Sequence, residues 1–440
     1  MTNKERLELA QWAMRYALKK GANQAAVSIT NQRSVEVAFR EKKVDKLAES
    51  TQNSLSLDIY AANRYSSHST CDLRRDSLGP FIEEAVSATK YLAEDEFRLL
   101  PDPRYYPQNL KRDLMLADAE YQKVETRNRV ELAAAIEAAA RESSDKIISV
   151  TSNYSDSFLE FVQVHSNGFS GQIDETYFQL SAEATVKDEN AGRPDDYAYA
   201  YSRFFHELPA SQKIGKEVVY RACAKIGQKK IASGTFDVIV ENRAAGNLLG
   251  MLQEPLSARS LQQKTSYLDG MLEKKIASEL LSVKDDPFIE KGLGSRLFDG
   301  EGLAATPRVI IEKGILKSYF IDHYYGRKLN MEPNSGSTSN LIFSLGEHSL
   351  EEMIKALQRG IVITDFIGGN SNATTGDFSF GIIGQYVVDG EIVHPINEMN
   401  ITGNGKELWN QLVELGNDPF VYSSNQRPSM RFAGVQLSGL

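Results

Sequence analysis

A mixed α+β fold is predicted, with an N-terminal helix–strands–helix region followed by a large β-rich C-terminal domain. Three observations predict it. An amphipathic N-terminal stretch stops at Gly21 and gives way to runs in which every second residue is apolar. The same order of elements returns after a proline-rich break at Pro101, Pro103 and Pro107. From Thr235 onward short alternating runs dominate, several of them joined by Lys-Gly or Asp-Gly pairs.

Leu7, Ala10, Met14, Ala17 and Leu18 recur at helical spacing, and Gly21 is the natural stop. Val35, Val37 and Phe39, then Leu55, Leu57 and Ile59, read as strands with one buried face. A second helix is predicted over 77–91, with Ile82, Ala85, Val86 and Thr89 inward. The prolines then exclude both a continued helix and a central strand, which places a connector over 101–124 between units 1–100 and 125–228. The second unit opens with an Ala-rich helix over 125–141 and closes with a helix over 211–226, stopped by Gly227. Between them Asn167-Gly168 predicts a hairpin turn. Tyr197, Tyr199 and Tyr201 fall on one face of a strand, a stripe read as packing. Two such units in tandem suggest an internal duplication.

The range 229–440 forms the β-rich domain. Phe236, Val238 and Val240 alternate. Strands over 308–312 and 315–322 flank Lys313-Gly314, and strands over 379–388 and 391–393 flank Asp389-Gly390. Ser349 and Glu352 make a capping box for a helix ending near Gln358. A final strand is expected over 430–437.

Composition excludes several function classes. With 50 Lys and Arg against 59 Asp and Glu the net charge is −9, and no basic stripe interleaved with aromatics is present, so nucleic acid is not an expected partner. No apolar run approaches the roughly 20 residues of a membrane span, and the charged first ten residues lack a signal-peptide core. A cytoplasmic protein without membrane contact is expected. Cys71 and Cys223 have no metal-type spacing and are expected to be buried free thiols.

No catalytic or metal-binding set emerges locally. After His206-Glu207 the positions that would carry a second zinc histidine are Ala210 and Ser211, and Pro209 breaks the segment. The other histidines (His68, His165, His323, His348 and His394) are scattered, and neither a nucleophile elbow nor a phosphate loop occurs. Two loops remain. One joins Asp285-Asp286 to Asp299 and Glu301, read as turn acids. The other is a small-residue stretch from Gly368 to Gly381. Its Thr374, Thr375, Gly376, Asp377 and Ser379 are candidate peptide-binding residues, because Gly376 admits a close backbone and the others offer hydroxyls and a carboxylate. The strand following this loop is expected to offer its edge.

Several segments together resemble the TldD/PmbA family, also called modulators of DNA gyrase. They are Ser-Arg-Leu-Phe-Asp-Gly-Glu-Gly at 295–302, Ile-Glu-Lys-Gly-Ile-Leu at 311–316, and Asn-Ala-Thr-Thr-Gly-Asp-Phe-Ser-Phe-Gly at 372–381. To these add Glu-Met-Asn-Ile-Thr-Gly-Asn at 398–404, Gly-Asn-Asp at 416–418 and Pro-Ser-Met at 428–430. The resemblance implies two-domain intracellular proteins that dimerise around a cavity. It also implies, in one branch, a zinc metallopeptidase with an H-E-x-x-x-H helix and a C-terminal cysteine, acting on unfolded or flexible peptides. Here the matching helix reads Leu-Leu-Gly-Met-Leu-Gln-Glu-Pro at 248–255, and no cysteine follows Cys223. That agrees with the PmbA-like (TldE) branch. The expectation is therefore a non-zinc subunit with no cofactor of its own, zinc residing only in a TldD-like partner, or a homodimer. Two other readings stay open: a homodimeric peptidase using Asp299, Glu301 and a nearby histidine, and a peptide-binding regulatory protein without catalysis.

Overall fold

The computed structural model describes residues 1–189 and 192–439; positions 190, 191 and 440, inside the central and C-terminal ranges above, lie outside the described residues. The first half runs α1 (Asn3–Lys19), β1 (Gln24–Arg40), β2 (Lys43–Ala61), β3 (Arg64–Thr70) and α2 (Arg75–Thr89). The second set follows as α3 (Thr126–Ser143), β4 (Ile147–His165), β5 (Ser170–Val186), β6 (Asp195–Ser202) and α4 (Ser211–Cys223). Its strands do not make a separate sheet. β1 and β4 pair antiparallel from Ala26–His165 to Arg40–Thr151, giving one six-stranded sheet in the order β3-β2-β1-β4-β5-β6.

All four helices lie on one face of that sheet. Val27, Ile29, Leu55, Leu57 and Ile59 meet α1 and α2, while Tyr154, Phe178, Leu180 and Ala200 meet α3 and α4. Each fully buried Val, Leu, Ile or Phe side chain among these contributes about 1.5–3 kcal/mol relative to exposure. The opposite face is covered at one end by the C-terminal part. There Gln163 Nε2 donates to Gly300 O at 2.9 Å and Tyr177 Oη to Leu293 O at 3.1 Å, and Phe169 packs edge-on against Phe298.

The C-terminal part contains β7 (Gly234–Val240), α5 (Gly246–Gln253), α6 (Ala258–Gln262), β8 (Val283–Asp286), β9 (Arg308–Glu312), β10 (Ile315–Leu316), α7 (His323–Leu329) and β11 (Asn340–Phe343). It continues with α8 (Leu350–Lys355), β12 (Arg359–Ser371), β13 (Asp377–Val388), β14 (Glu391–Asn404), α9 (Gly405–Asn410), β15 (Leu412–Leu415), β16 (Asn425–Gln426) and β17 (Met430–Ser438). One sheet has the order β14-β13-β12-β7-β17-β15, and β14 also pairs with β17 at Asn400 and Ile401, so five of its strands form a closed ring. Ile361, Ile363, Ile382, Met399, Phe432 and Leu437 belong to the core of this part, with Leu248 and Leu252 of α5. A second sheet, β10-β9-β8-β11-β16, lies beside it. Among the described residues no helix is long and apolar enough to cross a membrane.

Four expectations are corrected. The strand predicted over 315–322 stops at Leu316, because Phe320 and Ile321 leave the ladder to bury their side chains. Their amides bond instead to Leu256 O (2.9 Å) and Asn334 Oδ1 (2.9 Å). The helix predicted to reach 226 ends at Cys223, where the amides of Lys225 and Ile226 turn to carbonyls three residues back. The helix predicted to end near Gln358 stops at Lys355 for the same reason, with Leu357 N bonded to Ile354 O. Cys71 is exposed just beyond β3 and Cys223 is half-buried; both are free, but neither is the buried thiol expected.

The α3–α4 crossing depends on Gly215, where an added Cβ would stand 2.4 Å from Ile136 O and 2.9 Å from Ala140 N. Gly215→Ala should therefore destabilise the protein by about 1–3 kcal/mol in urea denaturation. Gly250→Ala, on α5 with nothing within 4 Å, should be neutral or stabilising by up to about 1 kcal/mol.

Candidate functional site

The loop carrying Thr374, Thr375, Gly376, Asp377 and Ser379 joins β12 to β13 and is built as a closed turn. Asn372 Oδ1 accepts from Thr374 N at 2.9 Å, and Asn372 N donates to Asp377 O at 2.8 Å. Thr375 Oγ1 donates to Asp377 Oδ2 at 2.7 Å, while Asn404 Nδ2 donates to both Thr375 O and Asp377 Oδ1 at 2.9 Å. These bonds from Thr375 and Asn404 hold the Asp377 carboxyl below the usual carboxylate range. Gly376 has φ +89°, and a Cβ there would meet Asn404 Oδ1 at 3.0 Å. Asp377 is thus committed to the turn, whereas Thr374 faces solvent and Ser379 is half-buried on β13.

The strand after this loop does not offer an edge. β13 is paired along one side to β12 and along the other to β14, Ser379 itself standing between Asn370 and Thr402. The free edge belongs to β12. Its pairing with β7 ends at Ile363, so among the described residues the stretch 365–371 has a strand on one side only. Phe366 N is taken up by Asp365 Oδ1 at 2.8 Å, and beyond it the exposed edge over 367–371, beside a small-residue turn, is suited to receiving an extended peptide.

Tyr267 ties this loop to α5. Its backbone N donates to Ala373 O at 2.8 Å, and its buried hydroxyl donates to Met251 O at 3.1 Å. The residues just before α5 are in turn sewn to the C-terminal segment. Asn242 Nδ2 donates to Asp418 O at 2.6 Å, Ser429 Oγ donates to Asp418 Oδ2 at 2.7 Å, and Arg427 Nη2 donates to Arg243 O at 3.0 Å. The two segments that carry zinc ligands in the resembled metallopeptidases therefore adjoin here. Their donor set does not fit zinc. Leu248, Leu249, Met251 and Leu252 point into the core, and the outward positions of the helix are Asn247, Gly250 and Gln253. None of these is an imidazole, thiolate or carboxylate. On the facing segment the Ser429 hydroxyl is already bonded to Asp418, and Met430 is buried. Sequence reasoning missed Tyr267, which sits in no motif; Asn404, by contrast, closes the segment at 398–404.

The second candidate set is split by the fold. Asp299 Oδ1 accepts from Glu301 N (2.9 Å) and Leu303 N (3.0 Å), and with Arg203 and Arg296 it lines a cleft of about 370 Å³ between the two halves. Glu301 turns away and accepts from the backbone N of His323 at 2.8 Å. The His323 ring is buried with neither nitrogen hydrogen-bonded among the described residues, and that burial lowers it to about 4. No relay links ring to carboxyl. Asp285, from the same acidic stretch, is spent on Arg308 and on Ser339 N.

Burial pushes Glu301 up to about 7. A carboxyl raised in this way binds its proton more tightly folded than unfolded. The stabilisation is complete below the unfolded value of 4.5 and is lost as pH rises through 7. Glu301→Gln should flatten the fall in urea stability between those limits, by up to about 3 kcal/mol. An unchanged slope would mean that Glu301 is ionised in the fold.

Comparison with known proteins agrees with this architecture. Residues 120–226 match the PmbA/TldA metallopeptidase central domain, and residues 233–439 match the PmbA/TldA metallopeptidase C-terminal domain. The chain belongs to the PmbA/TldD family. It is 28% identical over 419 residues to the metalloprotease PmbA of Escherichia coli O157:H7, covering 94% of this chain and 92% of that one. A Bacteroides thetaiotaomicron crystal structure classed with modulators of DNA gyrase superposes with a TM-score of 0.96 at 39% identity, over 98% of each chain. The TldE structure from Thermococcus kodakarensis shares the fold, with a TM-score of 0.87 at 20% identity over 98% of this chain and all of that one (100%).

Proposed function

We propose that this chain is the non-zinc subunit of a PmbA/TldD-type peptidase complex. In this reading it receives flexible peptides at the β12 edge and the 374–379 turn, and a zinc-bearing relative supplies the hydrolytic centre. One observation carries the reading. Tyr267 joins the peptide-facing turn to α5, which stands where the family places its metal but has only apolar and amide side chains. Amide hydrolysis at neutral pH requires an activated water and a base. Here two carboxylates of the adjoining segments, Asp377 and Asp418, are held in structural hydrogen bonds. Peptide captured along an edge is held by main-chain bonds worth about 0.5–1.5 kcal/mol each, which suits substrates of varied sequence. The cytoplasm is the proposed compartment, and a homodimer is the competing assembly.

The test is a peptidase assay on an unstructured peptide with this chain alone, with a zinc-bearing family member alone, and with both. Turnover should appear, or rise markedly, only in the mixture. Thr375→Ala should then cost at most about tenfold in kcat/KM, since one hydrogen bond of 1.4 kcal/mol is a factor of ten. Full turnover by this chain alone would overturn the reading. So would loss of turnover in Asp377→Asn with assembly and peptide binding intact, because the carboxylate would then be acting on substrate.

A further inference from the structure

The cleft between the two halves, about 370 Å³ in volume, lies in the size range of small-ligand sites, and no residue of the peptide-facing turn lines it. Phe161 and Ile173, from the open face of the first sheet, and Phe298, from the loop facing it, cluster into its apolar lining. Thr338, Ser339 and Ser424 add hydroxyl-bearing residues to the lining.

Two acids and two bases line the cleft, so it is neutral overall, but they divide into unlike pairs. Arg203 and Glu175 meet directly. Arg203 Nη1 donates to Glu175 Oε2 at 2.8 Å, and its other nitrogens donate to Gly292 O and Leu293 O at 3.4 and 3.0 Å. Arg296 and Asp299 do not meet, and among the described residues neither makes an ion pair. Arg296 Nη2 donates to Ser337 O at 2.7 Å and to Ser335 Oγ at 3.3 Å, while its Nε is buried without a hydrogen bond. Asp299 is 6% exposed, and its Oδ1 accepts only backbone amides. Asp285, the other acid acting on Arg296, is taken by Arg308 at 2.9 Å. Burial accordingly lowers the Arg296 guanidinium and raises the Asp299 carboxyl: each loses more by leaving water than it regains from its surroundings. The Ser335 hydroxyl also hydrogen-bonds to the Asp299 carboxyl, so one hydroxyl spaces the two charges.

A net-charged ligand would unbalance this cleft. A zwitterion meets both lone charges at once, its carboxylate on the guanidinium and its ammonium on the carboxyl. Spacing selects among zwitterions. One carbon separates the charged groups of an α-amino acid, which suits partners set apart by a single hydroxyl, whereas the termini of a dipeptide stand a further residue length apart. We infer that the cleft binds a free α-amino acid with an apolar side chain, its charged groups on Arg296 and Asp299 and its side chain against Phe161, Ile173 and Phe298. The inference rests on the cleft alone and stands whether or not the chain is a peptidase subunit.

Calorimetric titration of the full chain at neutral pH tests it, with L-leucine and L-phenylalanine. At least one of the two should bind saturably. Its amide, which keeps only the ammonium, and its N-acetyl derivative, which keeps only the carboxylate, should each bind at least about tenfold more weakly. Glycine, without the apolar side chain, and the dipeptide of the bound amino acid with itself should also bind more weakly. Asp299→Asn retains an Oδ1 for the two amides but removes the charge, and Arg296→Gln removes the guanidinium; each should weaken the bound amino acid about tenfold or more. The ligand series on the native chain keeps the test valid if a variant fails to fold. The inference is overturned if neither amino acid binds. It is equally overturned if a blocked derivative, glycine or the dipeptide binds as tightly, or if a folded variant binds as the native chain does.

Discussion

Asp196 is the point on which the two halves of the molecule hang. It sits on β6, at the edge of the first sheet, and receives Arg221 from α4, Lys225 from the turn just after it and Arg243 from the turn before α5. Burial alone would raise its pKa, yet the three cations outweigh burial and hold it below the usual carboxylate range. Removing one member of a buried, hydrogen-bonded set typically costs about 3–5 kcal/mol, because the partners are left charged and dry. The network also fixes orientation. Arg243 lies across the Tyr197 ring at 3.8 Å, and its own carbonyl accepts from Arg427. The start of α5 is therefore clamped both to the first sheet and to the C-terminal segment.

From that clamp the functional architecture follows by contact. α5 runs into the core, its carbonyl end meets the Tyr267 hydroxyl, and the Tyr267 amide holds Ala373 in the β12–β13 turn. The chain thus transmits position from a buried ion network to an exposed edge through a short series of hydrogen bonds and one helix. Ring closure between β14 and β17 takes in only Asn400 and Ile401 of β14. The open end of β12 is produced by β7 ending at Val240 while β12 continues to Ser371.

Much of this was legible where the signal was local. The helices α1 and α2 announced themselves by apolar spacing, α3 by its alanines, and the Ser349–Glu352 capping box is present as read. The Lys313-Gly314 and Asp389-Gly390 turns have both residues at positive φ, the geometry that two-residue hairpins favour. What distance decides was not legible. The pairing of β1 with β4, which merges the two tandem units into one sheet, leaves no mark in either strand, since both read as ordinary half-buried alternation. The strand after the candidate loop carried the right pattern, but which neighbours would claim its edges depends on β14 folding back. Phe320 and Ile321 alternate like strand residues, and their departure is settled by the amide and carbonyl groups of Leu256, Ala258 and Asn334. The candidate residues at 374–379 were found by composition; their tie to α5 through Tyr267 was not, because a lone tyrosine in a loop has no distinguishing context.

The account holds that this chain shapes a peptidase site without holding its metal. Native mass spectrometry of the purified complex with a zinc-bearing family member, followed by separation of the subunits, addresses that claim most directly. The account predicts roughly one zinc per pair of unlike chains, leaving with the relative and absent from this chain. Zinc retained by this chain after separation, at about one per chain and lost together with peptidase activity on chelation, would contradict it.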